Sequence, residues 1–226
     1  MYWQEEQQEG SSRESKRVVD IVYRIQCRML PMDHAHTLSE AIHAALPWFD
    51  EERDAGLHLI HGADSGNGWS RPEGADELLL LSRRTRLQLR IPIERLDDAL
   101  ALNGQSLDVG GYELVVGEGS SRPLNPNSTL YARYMIQDPE HGEEQFMARV
   151  VAALRDLGVR PKKMLPGRSH RIAHPEGDLL TRSLMVADLD DDDAIRLLER
   201  GLGPGRKMGL GLFVAHKSIK PNEPKD

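Results

Sequence analysis

The hydrophobic pattern of the N-terminal half alternates between strand-like and helix-like segments. Residues 18–25 are rich in β-branched side chains and become alternating, which predicts a strand. A Thr37-x-x-Glu40 capping box then precedes apolar residues at helical spacing, which predicts a helix from Thr37 to about Leu46. Further strands are predicted at 56–60, 78–81, 87–91 and 112–116, and a second helix at 92–102.

The C-terminal half repeats this order without a clear repeat at the level of residues. A strand is predicted at 130–136, a helix at 143–157, a hairpin at 163–173 and 180–187, a helix at 190–199 and a strand at 212–215. The last helix carries acidic residues at its start, where the helix dipole favours them.

The order strand-helix-strand-strand-helix-strand is that of the ferredoxin-like motif. We therefore predict an α+β protein with two tandem ferredoxin-like (RRM-like) βαββαβ domains and a C-terminal glycine-rich loop. The predicted parts are a flexible N-terminal arm at 1–16, a first domain at 17–119, a Ser/Pro/Asn linker at 120–127, and a second domain at 128–226 that contains the glycine-rich loop 201–211.

The glycine-rich loop has the layout Gly-x-Gly, five residues, Gly-x-Gly, with Arg206 and Lys207 in its centre. Glycine permits positive φ, and successive backbone N–H groups can form a concavity that binds anions. The dinucleotide fingerprint does not fit, because Arg206 occupies the third glycine position and a helix precedes the loop. The P-loop does not fit either, because Met208 follows Lys207. The alternative is a mobile turn with incidental charge.

This loop resembles the C-terminal signature of the CRISPR-associated endoribonucleases of the RAMP superfamily, which cut precursor CRISPR RNA within its repeats. Weaker resemblance to one branch of that family extends over nearly the whole chain, in segments 1–6, 65–69, 160–165, 182–185 and 213–217. The resemblance implies tandem ferredoxin-like domains with a cleft for RNA. It also implies metal-independent cleavage by the 2′-OH that leaves a 2′,3′-cyclic phosphate, no cofactor, and repeat RNA or crRNA as partner. The resemblance is also compatible with a protein that stays bound to its product and joins other subunits of a CRISPR surveillance complex.

Three histidines crowd the first predicted helix, and histidine is the usual general base near neutral pH. By the resemblance, His43 takes the position where some relatives carry a catalytic Tyr or His. We rank His43 first, His36 second and His34 third, and we expect at least two of the three to be surface or capping residues. Lys207 is the first choice for the cation that stabilises the phosphorane, followed by Arg206.

The net charge of −7 conceals three basic segments without acidic residues, at 82–90, 159–172 and 200–217. These segments predict one positive face for RNA, although solvated strand edges would account for them equally well. The predicted RNA-binding residues are Arg160, Lys162, Lys163, Arg168, His170, Arg171, Gly203, Gly205, Arg206, Gly209 and Gly211.

The remaining features restrict the class of protein. The single cysteine permits no internal disulfide, no apolar run is long enough to span a membrane, and the N-terminus is acidic rather than signal-like. We expect a cytoplasmic protein without membrane contact. The spacing His36-x-x-x-Glu40-x-x-His43 is not a familiar zinc pattern, so no metal is predicted. Two other functions stay open: a catalytically inactive RAMP-type RNA-binding subunit, for which the histidine-bearing helix would be unnecessary, and an unrelated acidic scaffold protein.

Overall fold

A computed structural model describes residues 14–62 and 77–216. The N-terminal half contains β1 (Val18–Gln26), β2 (Met29–Pro31), α1 (Ala35–Ala45), α2 (Trp48–Glu51), β3 (Gly56–His58), β4 (Leu78–Leu80), β5 (Arg86–Pro92), α3 (Leu96–Ala99), β6 (Ser106–Val109) and β7 (Tyr112–Pro123). The C-terminal half contains β8 (Thr129–Ile136), α4 (Glu143–Leu157), β9 (Lys163–Ile172), β10 (Leu179–Ala187), α5 (Asp191–Arg200) and β11 (Val214–Ala215). Three 3-10 turns complete the described elements, at Ile93–Arg95, Leu100–Leu102 and Arg206–Met208.

The described strands form two larger antiparallel sheets and one small one. The first sheet has the order β3-β5-β1-β7-β6, the second has the order β11-β8-β10-β9, and β2 pairs with β4. If β6 is set aside, the four remaining strands of the first sheet are arranged as second, third, first and fourth along the chain. The second sheet, read from β9, has the same arrangement. The fold is therefore a mixed α/β structure in which both halves arrange their strands alike.

The helices depart from their predicted bounds where local chemistry differs from the pattern. Helix α4 has the predicted bounds, and Asp190 caps α5 by accepting a hydrogen bond from the Asp193 N–H. Helix α1 begins at Ala35 rather than Thr37, because the Thr37 hydroxyl donates to the His34 carbonyl instead of capping a backbone N–H. The capping-box prediction was therefore wrong. The predicted helix 92–102 consists of α3 between two 3-10 turns.

The connection between the halves is shorter than the predicted linker. Strand β7 continues to Pro123, where it pairs with Val19, so 120–123 belong to the first sheet. Ser15, which we placed in the flexible arm, is buried, and its hydroxyl donates to Glu199 of α5 at 2.6 Å. The rest of the predicted arm up to residue 13 and the segment 65–69 of the family resemblance lie outside the described residues.

Each half packs its own apolar core. In the first half, Leu38 and Ile42 of α1 lie in a cluster with β1 and β5 side chains such as Ile21 and Leu89. In the second half, side chains of α4 and α5 pack on β8 and β10. A smaller cluster of Ala35, Tyr134, Ile172 and Leu210 joins the two halves. Among the described residues, no helix has the length and apolar character needed to cross a membrane.

Arg90 of β5 connects the halves through buried polar contacts. Its guanidinium donates to both carboxylate oxygens of Asp20, at 2.8 and 3.0 Å, and to the carbonyls of Leu198 and Phe213 at 2.8 Å each. His58 Nε2 lies 3.5 Å from Asp20 Oδ1. Only 1% of Arg90 is exposed, so its place in a basic surface segment was a wrong prediction. A buried arginine needs such partners, and the sequence pattern does not reveal them.

The electrostatics of this buried trio follow from its geometry. Burial alone would raise the pKa of Asp20, but the charge of Arg90 and the contact with His58 outweigh burial and hold that pKa well below its usual range. Burial lowers the pKa of His58, against the opposing effect of Asp20. The trio therefore combines an anion, a cation and a neutral imidazole at neutral pH.

Candidate functional site

The two Gly-x-Gly pairs hold the glycine-rich loop closed on itself. Gly201 and Gly211 both have positive φ, and the Leu202 N–H donates to the Gly211 carbonyl at 2.9 Å. The Gly211 N–H in turn donates to the Tyr134 carbonyl of β8 at 2.7 Å. A Cβ at Gly201 or Gly211 would collide with a backbone oxygen of the opposite pair. The layout of the signature is thus explained by close contact between its two ends.

The loop amides are used differently from our prediction. The Gly209 N–H donates to the Arg206 carbonyl and the Gly211 N–H to Tyr134, so these two amides cannot also cradle a phosphate in this conformation. We correct their assignment from RNA binding to loop structure. Gly203 is exposed and Gly205 is half-buried, and for these two glycines RNA binding stays a prediction.

Arg206 points into the protein and holds the loop in place. Its Nη2 donates to the carbonyls of Asp54 at 3.0 Å and Glu199 at 2.8 Å, and its Nε is buried. Burial, reinforced by the charge of Arg90, lowers the pKa of Arg206 to about 10. Both the RNA-binding role and the reserve catalytic role of Arg206 are therefore corrected to a structural one.

Lys207 and His43 both reach one residue of α2, Asp50. The Lys207 Nζ donates to the Asp50 carbonyl oxygen and lies 4.0 Å from Asp50 Oδ1. The Nε2 atom of His43, in the last turn of α1, also lies 4.0 Å from Asp50 Oδ1. The fold thus joins the first-ranked histidine and the first-ranked cation at one carboxylate. Our sequence analysis missed Asp50, because nothing in the local sequence distinguishes it from Glu51 or Glu52.

His43 and Lys207 titrate in a partly dehydrated environment. Burial lowers the pKa of His43 and Lys207 lowers it further, while Asp50 and Glu40 raise it, and the net pKa is below the usual histidine value. Burial likewise lowers the pKa of Lys207, against the effects of Asp50 and Glu52. A histidine with a lowered pKa is neutral at physiological pH, as a general base must be.

His34 has no catalytic capacity in this arrangement. It is 3% exposed, its Nδ1 donates to the Pro31 carbonyl at 2.9 Å, and its Nε2 accepts from the Ile60 N–H at 3.2 Å. Both ring nitrogens are therefore occupied by backbone groups. We correct the third-ranked candidate base to a structural residue that joins the start of α1 to the end of the β3 segment.

His36 precedes His43 by seven residues, about two turns, so the two histidines lie on the same side of α1 but contact different neighbours. Its Nε2 lies 3.3 Å from Glu40 Oε1, and its ring lies 5.1 Å from the ring of His174 in the β9–β10 hairpin. His36 therefore contacts Glu40 and the β9–β10 hairpin, whereas His43 contacts Asp50 of α2. A catalytic role for His36 stays a prediction.

The predicted RNA-binding cations of the second basic segment lie on β9, an edge strand of the second sheet, and in the three residues before it. Arg160, Lys162, Lys163, Arg168 and Arg171 are all exposed. Lys163 Nζ pairs with Asp188 at 3.1 Å, and the His170 ring lies 5.7 Å from the Tyr134 ring. In the third segment, Arg200 pairs with Asp54 at 3.0 Å, and Lys217 lies outside the described residues. Of the three basic segments, the second therefore presents the most exposed row of cations.

No group of three or more His, Cys, Asp or Glu side chains within 14–62 and 77–216 is arranged to hold a metal ion. Metal independence of the reaction stays a prediction, and the experiment below tests it directly.

Comparison with known proteins shows the sequence family of the chain and solved structures with a similar fold. The sequence model of the family described as Cas6 Crispr matches residues 19–218. The CRISPR-associated endonuclease Cas6 of Myxococcus xanthus (strain DK1622) is 31% identical over 196 residues, which cover 87% of this chain and 80% of that protein. A solved CRISPR-associated protein Cas6 has a TM-score of 0.58 at 15% identity, covering 88% of this chain and all (100%) of its own.

A solved structure described as a RAMP protein binding different RNA substrates has a TM-score of 0.54 at 14% identity, covering 87% of this chain and 98% of its own. At these identities the solved structures show the fold alone. The family match and the Myxococcus relative define the class as that of the CRISPR-associated proteins. Within that class, the chain belongs to the Cas6 family.

Proposed function

We propose that this chain is a metal-independent endoribonuclease that cleaves CRISPR repeat RNA by attack of the RNA's own 2′-OH and leaves a 2′,3′-cyclic phosphate on the crRNA. The observation that carries the proposal is the convergence of His43 and Lys207 on Asp50 beside the glycine-rich loop. Membership of the Cas6 family and the endonuclease name of the Myxococcus relative support it.

In the proposed mechanism, His43 is the general base. Its imidazole takes the proton of the 2′-OH, and the 2′ oxygen forms a bond to the neighbouring phosphorus while the bond to the 5′ oxygen breaks. The ammonium of Lys207 stabilises the negative charge that builds up on the phosphorane oxygens. The leaving 5′ oxygen takes a proton from water, and the imidazolium returns its proton to solvent.

We further propose that the RNA is held along the exposed cations of β9 and of the short segment that precedes it. Arg160, Lys162, Lys163, Arg168 and Arg171 would contact phosphates, and His170 would contribute beside Tyr134. Double-stranded and single-stranded RNA both present a dense row of phosphates that such a strand can neutralise. The exposed rim of the glycine-rich loop at Gly203 and Gly205 would complete this surface.

We also propose that the halves are two tandem ferredoxin-like domains. The identical arrangement of four strands in both sheets supports this assignment. Repeat RNA and the crRNA product are the proposed partners in the cytoplasm, together with other subunits of a CRISPR surveillance complex. No cofactor takes part in the proposed reaction.

The test is cleavage of end-labelled repeat RNA by the purified protein in EDTA, in parallel with a sample in Mg²⁺. A second substrate carries a single 2′-deoxy nucleotide at the cut site. We expect equal cleavage in EDTA and Mg²⁺ and no cleavage of the deoxy substrate. The terminal phosphate of the product should be removed by phosphatase only after acid opens the cyclic phosphate. Cleavage that requires metal, or that survives the deoxy substitution, would contradict the proposal.

The same experiment separates the enzyme from the alternative function. Tight binding of repeat RNA without cleavage of any substrate would identify a catalytically inactive RNA-binding subunit instead.

A further inference from the structure

The geometry around His43 points to Asp50 as a positioning residue for the proposed reaction. We propose that the Asp50 carboxylate holds a proton on Nε2 of His43 and keeps Lys207 beside the ring, so that Nδ1 of His43 takes the 2′ proton. This inference rests on the proposed function and adds a group that neither the family signature nor our sequence analysis singled out.

The short helix α2 gives Asp50 a fixed position. Phe49, the preceding residue, is fully buried, and its ring lies 5.7 Å from the His43 ring. Trp48 lies under the guanidinium of Arg95 at 5.2 Å, and the Glu52 N–H donates to the Trp48 carbonyl. The backbone that carries Asp50 is therefore anchored on the same core that supports His43.

The two nitrogens of the His43 ring are not equivalent. Nε2 is buried and has no hydrogen-bond partner among the residues that the structure describes, and Asp50 Oδ1 lies 4.0 Å from it. A neutral imidazole carries one N–H and one lone pair. A nearby carboxylate favours the proton on Nε2, which leaves the lone pair on Nδ1. Such contacts are often long in an unliganded enzyme and shorten when the substrate binds.

Asp50 also balances the other charges that face His43. Lys207 faces the ring from the 3-10 turn Arg206–Met208, and Glu40 faces it from α1 itself. Burial and Lys207 both disfavour the imidazolium, whereas Asp50 and Glu40 favour it. An imidazolium must form when His43 accepts the 2′ proton, so an anion beside it lowers the free energy of that step. The Asp50 side chain is 74% exposed, which makes this contribution moderate rather than dominant.

The neighbouring acids of the same segment provide a matched control. Glu52 lies 3.6 Å from Arg95, and its carboxylate accepts the Asp54 N–H, so it is already engaged. Glu51 is exposed, and the described part of the chain gives it no ion pair. Glu51→Gln therefore removes the same charge from the adjacent position of α2 without touching His43.

The first measurement is the protonation state of the His43 ring in the protein without RNA. Long-range ¹H–¹⁵N correlation spectra, recorded over a pH series, report this state. His43→Gln identifies the signals. We expect the wild type to carry its neutral proton on Nε2. In Asp50→Ala, we expect a larger share of the Nδ1–H form and a lower pKa of His43, because a charge that raises that pKa is gone. Asp50→Glu should restore the wild-type pattern, and Glu51→Gln should not change it.

The second measurement is the single-turnover rate of repeat cleavage against pH. The rate rises with pH as His43 loses its proton, so a lower pKa in Asp50→Ala should move the acidic limb to lower pH. The plateau rate should fall by about 10–100-fold, the loss typical of a group that orients a functional histidine. Asp50→Glu should recover most of the rate, and Glu51→Gln should cut like the wild type.

The outcomes distinguish this inference from the proposed function. An unchanged titration and an unchanged proton position of His43 in Asp50→Ala would overturn the role of Asp50 and leave His43 as the base. A wild-type rate for His43→Ala would overturn the choice of base, and the role of Asp50 with it. If the plateau rate falls equally in Asp50→Ala and Glu51→Gln, the effect is one of general surface charge, and the positioning role of Asp50 is overturned.

Discussion

Two sites in this protein combine the same three kinds of group, a carboxylate, a histidine and a cation. In the buried site, Asp20, His58 and Arg90 are joined by hydrogen bonds of 2.8 and 3.0 Å and by a contact of 3.5 Å. In the open site, Asp50 lies 4.0 Å from both His43 Nε2 and Lys207 Nζ. The buried site has the shorter contacts, and the open site leaves capacity for another ligand.

The difference shows how burial decides what one set of groups can do. Arg90 uses its guanidinium on Asp20 and on two carbonyls of the other half, so it holds the halves together. Lys207 has a single rotatable ammonium on a side chain that is 23% exposed, and this ammonium can turn toward a phosphate. Burial and satisfied hydrogen bonds thus give stability, whereas incomplete pairing at the surface leaves groups for chemistry.

The largest effect on stability is expected from removal of the buried cation, Arg90. Arg90→Met leaves the Asp20 carboxylate buried without its partner and removes two bonds to the other half. We expect a loss of roughly 3–5 kcal/mol in the free energy of unfolding, measured by urea denaturation. Asp50→Ala, at the open site, should change this free energy by less than about 0.5 kcal/mol.

Arg86 on the same strand is the matched control. It is exposed, and within 14–62 and 77–216 its guanidinium donates to carbonyls of its own turn, at Arg83 and Thr85. Arg86→Met should change the free energy of unfolding by less than about 0.5 kcal/mol. If Arg90→Met and Arg86→Met were equally stable, the buried trio would not hold the halves together.

The cations near the start of β9 belong to neither site. Their removal should have a smaller effect, and this effect should be on RNA binding. Lys162→Ala with Lys163→Ala should weaken repeat RNA binding and reduce the slope of log K against log salt by about 1.4–1.8, since each phosphate contact releases counterions. Filter binding at several salt concentrations measures this slope. Arg155→Ala, an exposed cation of α4 that pairs with Asp156, is the control. An unchanged slope in the lysine variant would show that these lysines do not contact RNA.

Much of the element order could be predicted from sequence, because periodicity reports which face of an element is buried. Helix α4 has an apolar stripe and was predicted with its observed bounds, whereas β6 was missed because Ser106–Val109 is too short for a clear pattern. The true start of α1 depends on whether the Thr37 hydroxyl donates or accepts, which the sequence does not specify.

The candidate site was only partly accessible to sequence reasoning. His43 and Lys207 could be selected by residue chemistry and by resemblance to a family. The contacts that distinguish Arg206 from Lys207, and His34 from His43, are tertiary and join segments far apart in the chain. Residues of similar chemistry therefore received similar roles, although the fold buries one member of each pair in structural contacts and leaves the other partly exposed.

The most direct test of the central claim is the single-turnover cleavage rate of His43→Ala on repeat RNA, measured with RNA affinity. If His43 is the general base, the rate should be about 10²–10⁴-fold below wild type, the usual contribution of a positioned acid or base. The affinity for RNA should be nearly unchanged. His36→Ala, two turns earlier in α1 and next to Glu40 and His174 rather than Asp50, should cut close to the wild-type rate. Cleavage by His43→Ala at the wild-type rate would show that His43 is not the general base.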